Sequence, residues 1–152
     1  MKAIQITAFG GPEVMQYTDL PNPVAGDSEI VLDVTAVGIN YADTHQTENS
    51  YLSPQTLPMV PGIEVTGTHA GKRYLASVSS GGYAQKAIAH EAALIPIPDA
   101  VTDQQALCML VQGSTAWHLL KTMGFVKPGQ TVVIHAAAGG VGTIAIQLAK
   151  MW

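Results

Sequence analysis

The stretch Thr131-Val-Val-Ile-His-Ala136-Ala137-Ala138-Gly139-Gly140-Val141-Gly142 decides how this chain is read. Its compact β-branched opening predicts a strand over Thr131–His135, its glycines a tight turn, and the residues from Gly140 to Met151 a helix. Strand, glycine turn and helix in that order are the context that a dinucleotide-binding fingerprint requires. Gly139 lets backbone approach a pyrophosphate, and Gly142 allows close packing of helix on strand. The helix N-terminus offers free N–H groups and a partial positive charge. The usual spacing would place a further glycine where this chain has Ala137, so a plain strand–helix turn is the competing reading.

Extended to Ala149, the same stretch holds 19 residues without Asp, Glu, Lys or Arg. That length matches a membrane span. The three glycines, His135 and Gln147 argue for a strand, a turn and a helix instead.

The chain has 152 residues, 47% of them hydrophobic and 12% charged. Soluble proteins carry about 25% charged residues. Disorder is excluded, because it needs low hydrophobicity and high charge. The low charge also hints at more apolar surface than one small domain buries. A net charge of −4 argues against a generally basic nucleic-acid binder. Residues 1–103 carry all eleven acids and four bases, for −7, whereas residues 104–152 carry three lysines and no acid, for +3. The lone Cys108 permits no internal disulfide and no multi-cysteine zinc cage. Its apolar neighbours, Ala106 to Leu110, predict a buried inert thiol. The N-terminus lacks the apolar core of a signal peptide, so a cytoplasmic protein is expected.

Upstream of residue 99 the pattern is all β. Lys2–Phe9 and Val14–Leu20 read as strands. Glu29–Ile39 is the strongest, with Ile30, Leu32, Val34 and Ala36 on one face and Val31, Asp33 and Thr35 on the other. Asn40–Gln46 reads as a short helical turn opened by Asn40, and residues 47–61 as a loop. Ile63–His69, Arg73–Val78, Tyr83–Ala89 and Ala92–Ile97 follow as short strands. Beyond residue 99 the pattern becomes α-α-β-α. Thr102 and Gln105 have capping-box spacing before a helix over 103–110. Ser114 is placed to cap a second helix that ends at Gly124.

Four blocks, in order, resemble the zinc-independent quinone oxidoreductase (zeta-crystallin-like) branch of the medium-chain dehydrogenase/reductases, in its N-terminal half. They are Gly38-Ile39-Asn40-Tyr41-Ala42-Asp43-Thr44, Pro61-Gly62-Ile63-Glu64-Val65-Thr66-Gly67, Gln112-Gly113-Ser114-Thr115-Ala116-Trp117, and His135 through Gly142. The resemblance implies an α+β chain. A GroES-like, mostly-β partial barrel over residues 1–98 is followed, over 99–152, by connecting helices and the incomplete start of a Rossmann domain: first strand, glycine turn, first helix.

By the same resemblance the protein is an NADPH-dependent reductase. It would transfer hydride to a quinone or another activated alkene or carbonyl. NADH stays open as the cofactor, because the residue that reads the adenosine ribose falls roughly 20 residues past the motif. Asn40, Tyr41 and Tyr51 would line the substrate side, with Tyr41 the candidate proton donor. Thr115 would lie near the nicotinamide. Gly139, Gly140, Val141 and Gly142 would hold the pyrophosphate. No zinc is expected, since zinc-dependent relatives have Cys and His where this chain has Asn40 and Ile63. The residues at Thr47 and Asn49, and the short stretch from Gly67 to Gly81, depart from the family pattern.

Length then reads as a truncation, inactive alone and marginally stable or self-associating. Its partners would be a small-molecule substrate and either a second copy or a missing C-terminal half, with no nucleic acid and no membrane. Two other readings stand beside this one. One is a non-enzymatic GroES-like binding module with a vestigial Rossmann segment. The other is an enoyl-thioester reductase that leans on Tyr41.

Overall fold

A computed structural model describes all 152 residues. The chain divides into two compact units, Met1–Leu107 and Cys108–Trp152.

The first unit is built on antiparallel strands. β1 (Lys2–Gln5) pairs with β2 (Gln16–Asp19) in a two-stranded sheet. The expected second strand is shorter than its pattern, because Pro12–Val14 forms a 3-10 turn ahead of it. The main sheet holds β3 (Glu29–Val37), β4 (Glu64–His69), β5 (Lys72–Ser77), β6 (Lys86–His90) and β7 (Leu94–Pro96), in the order β6-β3-β4-β5-β7. Leu32, Val65, Ala76, Val78, Ala87 and Ala89 form its core. Full burial of a Leu or Val side chain contributes about 1.5–3 kcal/mol.

The period-2 reading of β3 fails at one residue. The register against β4 slips between Val34 and Ala36, leaving Thr35 as a bulge. The bulge turns the Thr35 hydroxyl to Asp103, to which it donates at 2.6 Å. Arg73 donates to the same carboxylate at 2.9 Å and to the carbonyls of Pro98 and Val101 at 3.0 and 2.8 Å. This cluster fastens the start of α2 (Asp103–Cys108) to the sheet. The Thr102–Gln105 capping box forms in both directions, at 2.9 and 3.2 Å.

Ser114 does not cap a new helix. Helical backbone continues through a π turn (Met109–Gly113), α3 (Ser114–Trp117) and a second π turn (His118–Met123). The Ser114 hydroxyl donates back to the Leu110 carbonyl, a side-chain bond that suits a helix interior as well as a cap. Cys108 is exposed, not buried. Its apolar neighbours divide by face: Ala106 and Leu107 turn inward and Met109 is exposed.

The second unit ends in α4 (Gly140–Met151), as its pattern predicts. Ala116, Leu120 and Ala145 centre its core, with Val132, Ile134, Val141, Ile144 and Leu148 packed on them. Thr131–Ile134 keeps the alternation of a strand: Val132 and Ile134 face the core and Val133 is 79% exposed. It belongs to no ladder. A strand is defined by its neighbours' hydrogen bonds, and this unit holds no second strand to supply them. No helix is long and apolar enough to cross a membrane.

Candidate functional site

In the first unit the site grows from the turn between β3 and α1 (Tyr41–Thr47). Asn40 sits at the N-cap in extended backbone, and its N–H donates to Asp43 Oδ2 at 2.8 Å. Its side-chain amide donates to Glu64 Oε1 at 2.8 Å, across 24 residues of chain. Glu64 is wholly buried at the head of β4, and Asn40 and Asp43 are buried beside it. Gly38 makes this approach possible: a Cβ there would lie 2.5 Å from Glu64 Cγ. The first two sequence blocks therefore meet in one buried polar cluster.

Tyr83 joins them, a residue the sequence reading left out. Its hydroxyl donates to Asp43 Oδ2 at 2.7 Å. Burial first, then that hydrogen bond, then the charges of Asp43 and Glu64, hold the Tyr83 phenol well above its ordinary value. Its only sequence signal was a place directly after Gly81-Gly82. Asp43 Oδ1 and Gln46 Oε1 are also buried, without a hydrogen-bond partner.

Asn40 and Tyr41 are adjacent but face opposite environments. Asn40 points into the cluster, while Tyr41 is 80% exposed. The Tyr41 ring stands edge-on to His45, centroids 5.1 Å apart, and His45 Nδ1 lies 2.9 Å from Ser50 Oγ. Tyr51 follows directly and is also exposed. Tyr41, His45, Ser50 and Tyr51 thus offer two phenols, an imidazole and a hydroxyl on α1 and in the residues just after it. Its other side carries Asp43, Gln46 and Thr47 into the core. No three His, Cys, Asp or Glu side chains gather to form a metal site.

In the second unit the glycine turn leads directly into α4. Ala136 takes a left-handed φ of 51°, and the N–H of Gly139 closes the turn on the Ala136 carbonyl at 3.0 Å. Gly142 is enclosed by this turn: a Cβ would lie 2.7 Å from Ala137 Cα and nearer still to the Ala136 carbonyl oxygen. Gly139 faces the other way, its Cβ position meeting only the Ala136 carbonyl oxygen, at 3.3 Å. The first N–H groups of α4, at Gly140, Val141 and Gly142, lack intrahelical acceptors by geometry. They border an open cavity of about 940 Å³ together with Gly139 and His135. A small anionic group suits the donors and the positive helix end of this arrangement, and the Gln112 side chain lies against Gly140. Thr115 lies on α3, its hydroxyl donating to the Val111 carbonyl at 2.6 Å.

Known proteins place these features in a class. Residues 26–71 match the alcohol dehydrogenase GroES-like domain. Over its whole length the chain is similar to about half of the quinone oxidoreductases, consistent with the N-terminal half of a medium-chain dehydrogenase/reductase. It is 34% identical to a quinone oxidoreductase of Pseudomonas aeruginosa over 98% of its own length and 49% of that protein's. It is 32% identical to human quinone oxidoreductase, over 100% of this chain and 50% of the human one. Among solved structures, the Thermus thermophilus quinone oxidoreductase, described also in complex with NADPH, matches with a TM-score of 0.91. It is 39% identical over 99% of this chain and 50% of its own. The Escherichia coli quinone oxidoreductase complexed with NADPH matches with a TM-score of 0.92 and 31% identity, over 99% of this chain and 50% of its own. The chain spans about half the length of the curated relatives it matches.

Proposed function

We propose that the chain contributes the substrate side and the pyrophosphate-binding turn of a zinc-free, NADPH-dependent oxidoreductase. The reaction is hydride transfer to a quinone or another activated alkene or carbonyl, and the 152 residues alone do not complete the turnover. The observation that carries this reading is the turn at Ala136–Gly142. Its one enclosed glycine and its open N–H groups suit a pyrophosphate, and relatives of the same branch are described with NADPH.

In this reading NADPH, when bound, supplies the hydride. The N–H groups of Gly140, Val141 and Gly142 donate to the pyrophosphate, and Gly139 leaves room for it. Thr115 borders the nicotinamide. Asn40, Tyr41 and Tyr51 line the substrate side, and the Tyr41 hydroxyl is the proton donor. Asn40 is held in place by Glu64, so it orients rather than transfers protons. An amide at residue 40 and an alkyl group at residue 63 offer zinc neither thiolate nor imidazole. A cytoplasmic location belongs to the same proposal.

Fluorescence of NADPH on mixing with the purified chain tests the central point. Enhanced or blue-shifted emission is expected. Unchanged emission from a chain that is folded by circular dichroism overturns it and favours a binding module. Stoichiometric zinc in metal analysis overturns the zinc-free assignment. Turnover of enoyl thioesters but not quinones, lost in Tyr41→Phe, would transfer the assignment to an enoyl-thioester reductase.

A further inference from the structure

The residues in and around α1 expose apolar and aromatic side chains and no positive charge. Ile39 and Tyr41 are each 80% exposed, Leu52 is 97% exposed, and Tyr51 is exposed beside it. Between Lys2 and Lys72 the chain has eight acidic residues and no lysine or arginine. Three of the unit's four basic side chains are tied to carboxylates: Lys2 to Asp19, Arg73 to Asp103 and Lys86 to Asp33. The fourth, Lys72, stands opposite His69, at the end of β4 away from Glu64. The length of that strand sets about 17 Å between its two ends, past the Debye length of about 8 Å at physiological salt. Three carboxylates, in contrast, belong to the site. Asp43 and Glu64 are buried and hydrogen-bonded. Glu48 is exposed at the C-cap of α1, where the helix end is already negative, and no cation pairs with it.

We infer that the substrate side selects an uncharged, planar carbonyl compound and rejects anionic ones, and that Glu48 sets this selection. The inference rests on the substrate-side reading proposed above and narrows it. Two electron-rich tyrosine rings and two aliphatic side chains suit an electron-poor apolar ring. A carboxylated, sulfonated or phosphorylated molecule brings its charge toward Glu48 and finds no cation to receive it. Like charges set against each other are a means by which a site excludes the wrong partner. Thioesters of phosphorylated carriers therefore fall on the rejected side.

Two anthraquinones test this without any activity measurement. One is neutral and bears a hydroxymethyl group; the other bears a carboxylate at the same ring position. Their quinone rings are fused on both sides, so neither adds to the exposed Cys108 thiol. Titration of the isotope-labelled chain at low salt reads binding from the amide resonances of residues 39–52. The neutral compound is expected to bind at least tenfold more tightly. The gap should narrow in about 0.5 M salt, which screens exposed charges. It should narrow also in Glu48→Gln, and close or reverse in Glu48→Lys. Equal or tighter binding of the carboxylate by the parent chain overturns the inference and leaves the substrate-side reading standing. A gap that persists unchanged in Glu48→Lys overturns the role of Glu48. Amides that respond to neither compound overturn the substrate-side reading itself, and the inference falls with it.

Discussion

Asn40 and Glu64 are joined by a 2.8 Å hydrogen bond from the Asn40 side-chain amide to a carboxylate that has no contact with solvent. This bond ties the N-terminus of α1 to the head of β4. Asn40→Ala removes a donor from a buried carboxylate and strips the helix of its capping residue. Losing a hydrogen bond to a charged group costs about 1.5–3 kcal/mol. Urea unfolding should show a loss of about 2 kcal/mol, and a change below about 0.5 kcal/mol would mean that Glu64 does not rely on Asn40. Asn40→Asp should be no better, because it sets a second carboxylate against Glu64.

Arg73 makes a different kind of link. Its guanidinium serves the Asp103 carboxylate and the carbonyls of Pro98 and Val101 at once. A planar fork can reach three acceptors that a compact ammonium cannot. Arg73→Lys should therefore recover less than half of the stability lost in Arg73→Ala. Thr35→Val should weaken the same junction, by about 1 kcal/mol, since the bulge aims its hydroxyl at Asp103. Full rescue by lysine, read from denaturant midpoints, would reduce the cluster to a simple charge pair.

What could be read in the sequence was local. The Asn40 helix start, the Thr102–Gln105 capping box and the helix after Gly139 each depend on residues within a few positions of one another. The cluster depends on register. Asn40 meets Glu64 across 24 residues and Tyr83 meets Asp43 across 40. Nothing local records which carboxylate lies behind which turn, so Tyr83 and the buried face of Asp43 were out of reach. Thr35 shows the same limit inside one strand: alternation predicts a face, and one extra residue moves it. At 131–135 the pattern predicted a strand, and the structure keeps only its alternation over 131–134, with Val132 and Ile134 on the core and Val133 exposed. A ladder, however, is a property of two segments, and only one is present.

Tyr83 sets a pH dependence whose sign follows from its environment. Burial and the neighbouring carboxylates raise its pKa in the folded chain, whereas an unfolded tyrosine titrates near about 10. The folded state therefore keeps its proton where the unfolded state has lost it. The stabilisation is fully present below about pH 10 and declines as pH rises above that value. Unfolding free energy should fall steadily on the alkaline side. Tyr83→Phe should lose about 1 kcal/mol at neutral pH, for the bond to Asp43, and should flatten the alkaline decline. Identical alkaline slopes in the two proteins would show that Tyr83 titrates as an ordinary phenol.

The glycine turn separates two roles that its sequence runs together. At Gly142 a Cβ would press on Ala137 Cα at 2.7 Å, and those atoms are backbone that cannot step aside. At Gly139 the same atom would meet only one carbonyl oxygen, at 3.3 Å, and would otherwise point to open space. Gly142→Ala should therefore force α4 away from the turn and lower the stability of the second unit, seen as faster amide exchange across Ile144–Leu148. Gly139→Ala should leave that exchange within about twofold of the parent. Its methyl group would instead occupy the space a pyrophosphate needs, so NADPH affinity should drop at least tenfold. Equal loss of stability in both variants would make the turn a packing device alone. Loss of NADPH affinity in Gly139→Ala, with α4 exchange unchanged, would separate binding from packing at residues three positions apart.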